Sequence, residues 1–490
     1  MKNSNPLMLT RALTLLLIII FAASPVWATC GGGGGGGVGG MSGGSGGGGS
    51  APTVYYVPWK VRQAKDPAPM GLVLYWFPAS MDELQKSSLR ASRSLSLYAT
   101  QCISMEVADT QVPNAEKLIG SSKLPVAVLA NPDGTPVTKL ENTAGKLKVE
   151  QVEKLVETEM KQRESVLDDE LQDAKAKATA GDKDAAVKLY RLVAEQKCMF
   201  PKKAKDAAKE LKKLGMNDIA DFPSTPVFDH HLSALIERTM QRGLVAEMNA
   251  QYMLAEKSYL KAKAMDEADP APLRYLGELY RHHIGDWAKA RTTFEAILNM
   301  PADPLSRAVA LHGLGKMTIH EGEFKKGLSL MEQSIAEFPL ALAFRNLAVY
   351  WNSEGDFAKG NEYTQKALAL DPKDPYNLVF AAVFMAAAGK RDEALKIARA
   401  NVKLLPASYN LAAIYAQNGQ REKALAFLKR HFYQYERYQS VRAKEMMEAR
   451  VDAVFDSLRA DPGFIALTRN ADGRLPMPMK PMGARSDANR

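Results

Sequence analysis

Three cysteines and seven histidines are the side chains with which this 490-residue sequence could do thiol or metal chemistry. Thiol exchange needs two cysteines within about one helical turn, one of them held as thiolate by its surroundings. Cys30, Cys102 and Cys198 are far apart in the chain and form no such pair. A metal site needs clustered ligands. His230-His231 and His282-His283 are adjacent pairs whose rings diverge on a helix, and His312 and His320 stand eight residues apart. Neither Cys-x-x-Cys-His nor His-Glu-x-x-His occurs. No phosphate-cradling loop, nucleophile elbow or carboxylate-pair motif is present, and the glycine run near the N-terminus is too degenerate to be one. The sequence therefore predicts no catalytic residue, no metal and no cofactor: the chain reads as a non-enzyme.

The segments that hold these residues begin with an address. Lys2 and Arg11 precede an apolar stretch over 12–23, and Val26-Trp27-Ala28 has the small-residue form of a signal peptidase site, so residues 1–28 read as a signal peptide. No later run of about 18 apolar residues follows, which predicts an exported chain, periplasmic or attached to the cell envelope. Cys30, followed by glycines, resembles a lipoprotein processing site, so lipidation there is the alternative address and the one expected route to a membrane. Residues 31–50 contain 15 glycines and make 29–52 a flexible linker. The net charge of +9 is spread along the chain, with lysines concentrated around 202–213 and a basic tail over 470–490 that reads as disordered. Solvated helix faces account for this charge, and an exported chain excludes nucleic acid as partner.

Residues 53–163 alternate strand and helix patterns. An apolar run over 71–77 reads as a strand covered on both faces, 81–98 as a helix, 102–107 and 124–130 as further strands, then a turn at Asn131-Pro132-Asp133-Gly134, a strand over 137–140 and a helix over 149–160. This order, with Pro125 opening a strand, resembles the thioredoxin family, whose corresponding proline is usually cis. The family's Cys-x-x-Cys would fall after Trp76-Phe77. Here Pro78-Ala79-Ser80-Met81-Asp82-Glu83 stands in its place, with acidic residues suited to a helix N-terminus. The resemblance thus implies a redox-inactive α/β domain, with Cys102 as a small buried residue of its strand. A thioredoxin-type protein working through a lone cysteine is the competing reading. Residues 164–225 form a charged helical connector in which 180–186 resembles the turn of a helical hairpin and Pro201 breaks the following helix. Two isolated thiols are expected at Cys102 and Cys198, with a disulfide between them as the alternative.

Downstream the turns recur: Ala250-Gln251-Tyr252, Gly285-Asp286-Trp287, Gly322-Glu323-Phe324, Gly355-Asp356-Phe357, Gly389-Lys390-Arg391 and Gly419-Gln420-Arg421, at steps of 35, 37, 33, 34 and 30 residues. Small residues follow each turn at Ala255, Ala290, Gly327, Gly360, Ala394 and Ala424, and Tyr259, Phe294 and Met331 come one helical turn later in their units. This pattern resembles the tetratricopeptide (TPR) repeat, a pair of antiparallel helices that buries its face only by stacking on its neighbours. The expected fold is therefore an α/β thioredoxin-like domain followed by an all-α TPR solenoid. The array covers 226–435 with about six repeats, and 436–469 supplies capping helices. In that family the first helix of each repeat lines a concave groove for peptides or a partner helix. The register implies Arg274, Glu278, His282, His312, Lys316, His320, Arg345, Val349 and Asn352 as the peptide-binding groove. Their mixed basic character suits an acidic protein or peptide ligand. Arg345 and Lys316 are expected to be exposed and free to bind it. A lipid-anchored surface structural protein, with the glycine tract as its stalk, is a further alternative.

Overall fold

The computed structural model describes residues 53–469 apart from 63–65, 67–68, 70, 113, 217–221, 406 and 436–438. The expected signal peptide, the glycine linker with Cys30 and the basic tail lie outside the described residues.

Five strands, β1 (Lys60–Val61), β2 (Leu72–Phe77), β3 (Ile103–Val107), β4 (Val126–Ala130) and β5 (Pro136–Glu141), form one sheet in the order β1-β3-β2-β4-β5. β3 runs parallel to β1 and β2, whereas β4 is antiparallel to β2 and β5. The Leu124–Pro125 peptide leading into β4 is cis. β2 is apolar throughout because both its faces are covered: Leu72, Leu74 and Trp76 enter one core, and Val73, Tyr75 and Phe77 enter another.

The single helix expected over 81–98 is instead α1 (Met81–Lys86), a short 3-10 turn (Ser88–Arg90) and α2 (Arg93–Thr100). Serines cause the breaks. Ser80, Ser87 and Ser92 each accept a backbone N–H and restart the chain as an N-cap. After β3 comes α3 (Ala115–Ile119), which helps cover the Val73 face of the sheet.

The boundary expected at residue 163 is crossed by one helix, α4 (Val149–Thr179). With α5 (Lys183–Glu195) and α6 (Pro201–Lys213) it supplies Val152, Val156, Leu167, Tyr190, Val193 and Leu211 to the same core as Trp59, Trp76 and Leu74. The charged connector is thus packed against the sheet as one unit.

Cys102 does not lie in a strand or in the core. It sits exposed just before β3 with φ 58°, and it is bonded to Cys198, 96 residues away, with the Cα atoms 5.9 Å apart. The expectation of two isolated thiols is corrected: the bend after α5 carries Cys198 back to the residue that precedes β3. Cross-linking so long a loop restricts the unfolded chain, so reduction or Cys198→Ser is expected to lower stability by about 2–4 kcal/mol. Urea unfolding with and without dithiothreitol measures this.

Residues 230–430 fold into six antiparallel helix pairs. These are α7 (His230–Met248) with α8 (Tyr252–Met265), α9 (Pro270–Glu278) with α10 (Trp287–Leu298), and α11 (Pro304–His320) with α12 (Phe324–Glu337). Then come α13 (Ala341–Ser353) with α14 (Phe357–Leu370), α15 (Pro375–Ala387) with α16 (Arg391–Asn401), and α17 (Tyr409–Gln417) with α18 (Arg421–Arg430). Asp269, Asp303 and Asp374 cap the helices that open with proline, so the local chemistry agrees with the stacking. Close packing depends on missing side chains. A Cβ on Gly277 or Gly313 would each approach the Phe294 ring to 2.3 Å, and that ring is fully buried between them.

The chain continues as α19 (Gln439–Val451), a 3-10 turn (Ala453–Leu458) and α20 (Pro462–Leu467). Phe455 and Phe464 join the core of the last helix pair, as a cap should. α19 adds Met446 and Ala449 to the same core and also reaches back across the array to the 279–284 turn.

Candidate functional site: the concave face

Successive first helices are joined by a ladder of buried polar contacts one repeat apart. Arg274 donates to the Ser306 hydroxyl at 3.4 Å, His312 Nε2 pairs with the Asn346 amide at 2.7 Å, and Arg345 donates to the Asn377 side-chain oxygen at 2.5 Å. Gln417 continues it to the Val383 carbonyl at 3.3 Å. Arg345 also lies 3.9 Å from Asp374 and stands over the Tyr376 ring. Three of the expected ligand-binding side chains, Arg274, His312 and Arg345, thus hold repeat to repeat.

The remaining expected groove residues divide. Glu278, His282, Lys316 and His320 converge on one polar cluster. Asn352 bonds back to the Ala348 carbonyl of its own helix at 2.8 Å and packs on Gly360, while Val349 is exposed and takes no part. Arg345 and Lys316, expected to be exposed, keep only 7% and 5% of their surface, and that expectation is overturned. The physical reasons differ: Arg345 is held against Asn377, Asp374 and Tyr376 of the next repeat, whereas Lys316 lies under α19, one of two segments of the chain that cover its own array.

From the N-terminal side, residues 54–56 of the extended segment 54–59 lie against the array, while Val57 and Trp59 enter the core of the sheet unit. Tyr275 donates to the Val54 carbonyl at 3.1 Å, and the Tyr55 hydroxyl donates to Asp269 at 2.6 Å. Beside it, Arg93 of α2 reaches between repeats to Asp266 at 2.5 Å and Asp269 at 3.1 Å.

From the C-terminal side, α19 lies over the first helices. Glu448 meets His320 at 3.0 Å, Glu445 lies 3.4 Å from His431, and the Tyr409 hydroxyl donates to Asp452 at 3.0 Å. Met446 and Ala449, which alternate with these acids in sequence, are buried in the core of the last helix pair. Beneath α19, Arg281 forms a two-point ion pair with Glu278, at 2.6 Å for its shorter bond. His282 stacks on His283 with ring centroids 4.9 Å apart, and its Nε2 has no hydrogen-bond partner. His283 lies 3.5 Å from Glu247, which accepts the Tyr259 hydroxyl at 2.7 Å.

Sequence reasoning missed Glu247, Arg281, His283, His431, Glu445, Glu448 and Asp452. The available signal was the spacing of Glu445, Glu448 and Asp452, which puts three acids on one face beside Met446 and Ala449.

Burial sets the protonation of this cluster. It pushes His282 and His312 well below the usual imidazole range and His283 down to about 4, with Arg281 adding to the last. Burial also lowers Lys316 and pushes Glu247 up to about 8, the Tyr259 hydrogen bond opposing the latter. For Glu448 burial is overcome by His320, together with Lys316 and His431, which hold the carboxyl down at about 2.

The lowered imidazoles contribute stability that is complete above pH 6.5 and lost as pH falls; for His283 the loss is complete near pH 4. Glu247 acts oppositely, its contribution being complete below pH 4.5 and lost as pH rises through about 8. Glu278 and Asp452, raised by burial in the same way, act with Glu247, so imidazoles and buried carboxyls pull in opposite directions below pH 6.5. His283→Gln is expected to shrink the loss of melting temperature between pH 6.5 and 4 relative to wild type, and Glu247→Gln should flatten the alkaline side near pH 8. Thermal melts across pH 4–9 check both.

No group of three or more His, Cys, Asp or Glu side chains among the described residues is placed to hold a metal ion. None of the described helices is long and apolar enough to cross a membrane. Fold and site together define a helical-hairpin repeat protein joined to a five-stranded sheet unit, its concave face occupied by its own chain. No family model matches the sequence. Over part of its length it is similar to Protein CTR9 homolog of Arabidopsis thaliana, a TPR-containing protein, at 24% identity covering 35% of this chain and 20% of that protein. The chain therefore matches about a fifth of that relative's length. The distant likeness and the helical array fit a TPR-like protein and hint at a protein-interaction scaffold.

Proposed function

We propose that this chain is an exported, non-catalytic scaffold that binds a protein or peptide partner through a TPR array. The observation that carries the reading is the set of six stacked helix pairs with polar residues of their first helices turned to one shared face. The sheet unit is read as a thioredoxin-like domain without redox chemistry. Its strand order, the cis Leu124–Pro125 bond and the Ser80 N-cap at the start of α1 support this. Export is supported by the leader pattern over 1–28 and by the Cys102–Cys198 disulfide, a bond at home in oxidising compartments. A lipid on Cys30 would add an envelope anchor. Intact mass distinguishes an N-terminus at Thr29 from a diacylglyceryl-modified Cys30, and a chain retaining Met1 in the cytoplasm would defeat both.

Cross-linking and capture with the tagged full chain tests the scaffold. Reproducible exported protein partners with cross-links mapping to the array are expected. No partner, or cross-links confined to the sheet unit, would overturn the reading. The disulfide itself favours one competitor, a redox protein using Cys102 with Cys198. The scaffold reading expects no reduction of insulin disulfides above background, and activity that disappears in Cys102→Ser would replace it with the redox one.

A further inference from the structure

We propose that α19 is a built-in ligand of the concave face, seated where an acidic amphipathic helix of the partner protein binds, so that partner binding displaces it. This rests on the scaffold reading above and names the class of partner.

Three observations carry it. First, α19 meets the array mainly through charge. Glu448 reaches His320 at 3.0 Å, Glu445 faces His431 at 3.4 Å, and Lys316 lies in the field of both acids. The face beneath holds the cations Arg281 and Lys316 and the acids Glu278 and Glu247, and α19 brings its acids to the side where Lys316, His320 and His431 stand. Second, among the described side chains of α19 the buried apolar ones are Met446 and Ala449, whereas the paired helices of the array interlock through Phe294, Tyr259 and Met331. A seat built from charge pairs is selective for a segment of complementary charge. Third, the end of the array does not rest on α19 alone: Phe455 and Phe464, in the segment after it, pack with Tyr409 in the core that Met446 and Ala449 of α19 also join.

The recognition pattern follows from α19. Acids three residues apart, each followed by a small or flexible apolar residue, form adjacent stripes on one helix face. A partner helix with glutamates at those positions would take the same cations, and a second segment bearing more acids would outcompete the resident one.

The test uses the full chain and a fluorescein-labelled peptide with the sequence of residues 439–451. In the wild-type chain the resident helix blocks the peptide. In Glu445→Lys, Glu448→Lys the resident helix is repelled, and the peptide should bind at least ten-fold more tightly, with affinity falling as salt is raised. Adding Lys316→Glu should abolish that gain, and a peptide carrying the same two lysines should bind neither chain. Should the double variant fail to fold, Glu448→Gln, which removes one charge, should give a several-fold gain. Equal peptide binding by wild type and a folded variant, or a gain insensitive to Lys316→Glu, would overturn the proposal. The scaffold reading is separate: partners cross-linked to the array despite equal peptide binding would leave it standing and remove only the role of α19.

Discussion

Arg93→Ala is expected to cost about 3–5 kcal/mol, because it strands two buried carboxylates at the junction of the sheet unit and the array. Arg93 retains 1% of its surface and makes four directed contacts: to Asp266, to Asp269, to the Val227 carbonyl at 2.7 Å and to the Ser233 hydroxyl at 2.8 Å. Asp269 also accepts the Tyr55 hydroxyl and caps α9, so the network fixes the start of a repeat and the extended 54–59 segment together. Burial raises the Asp269 carboxyl, with Arg93 the main opposing charge. Removing the cation removes that opposition, and Tyr55 alone cannot replace it. Arg93→Met, which restores volume without charge, should be nearly as damaging. The triple variant Arg93→Met, Asp266→Asn, Asp269→Asn should recover part of the loss. Urea unfolding followed by tryptophan fluorescence gives the comparison, and a cost for Arg93→Ala below about 1 kcal/mol, the range of a solvated ion pair, would show that the junction is wet.

Phe294→Ala is expected to cost a further independent 3–5 kcal/mol, about the usual penalty for emptying a buried phenylalanine site. The ring fills a slot that exists because Gly277 and Gly313, on consecutive first helices, have no side chains. With glycine on both sides no neighbour can swing in to close the cavity, which places the cost at the high end of that range. Gly313→Leu in the Phe294→Ala background tests this by refilling the slot from the other side. It should recover stability, whereas Gly313→Leu alone should be strongly destabilising through overlap with the ring. The two sites, Arg93 and Phe294, share no contact in the ladder or the junction network, so their effects should add.

What could be read from the sequence was local and periodic. The six turns, with Gly285, Gly322, Gly355, Gly389 and Gly419 all at positive φ, stand where the repeat spacing puts them. Tyr259, Phe294 and Met331 are fully buried, as their position one turn after a small residue requires. Strand positions β2 to β5 followed from apolar runs and turn residues. The misses were all non-local. Nothing in the composition of 149–179 says that a charged helix continues past the sheet and buries Leu167 and Ala174 in the same core. Cys102 and Cys198 meet only because α5 and α6 fold back on the sheet. Arg345 and Lys316 lie on the face that the repeat register gives them, yet Lys316 is covered because α19 returns from past the end of the array, and Arg345 because it reaches into the next repeat. Serine pairs inside 81–98 were readable as caps, and helix periodicity masked them.

The account turns on the concave face being closed by α19 of the chain itself. Hydrogen–deuterium exchange of the full chain, read over peptides covering 439–451, measures this directly. If α19 is seated as described, its amides should exchange at least ten-fold more slowly than in the free peptide, and more slowly at low salt than at high. Exchange at the free-peptide rate under all conditions would mean that the groove is open, that Lys316 and His320 face solvent, and that α19 is not its occupant.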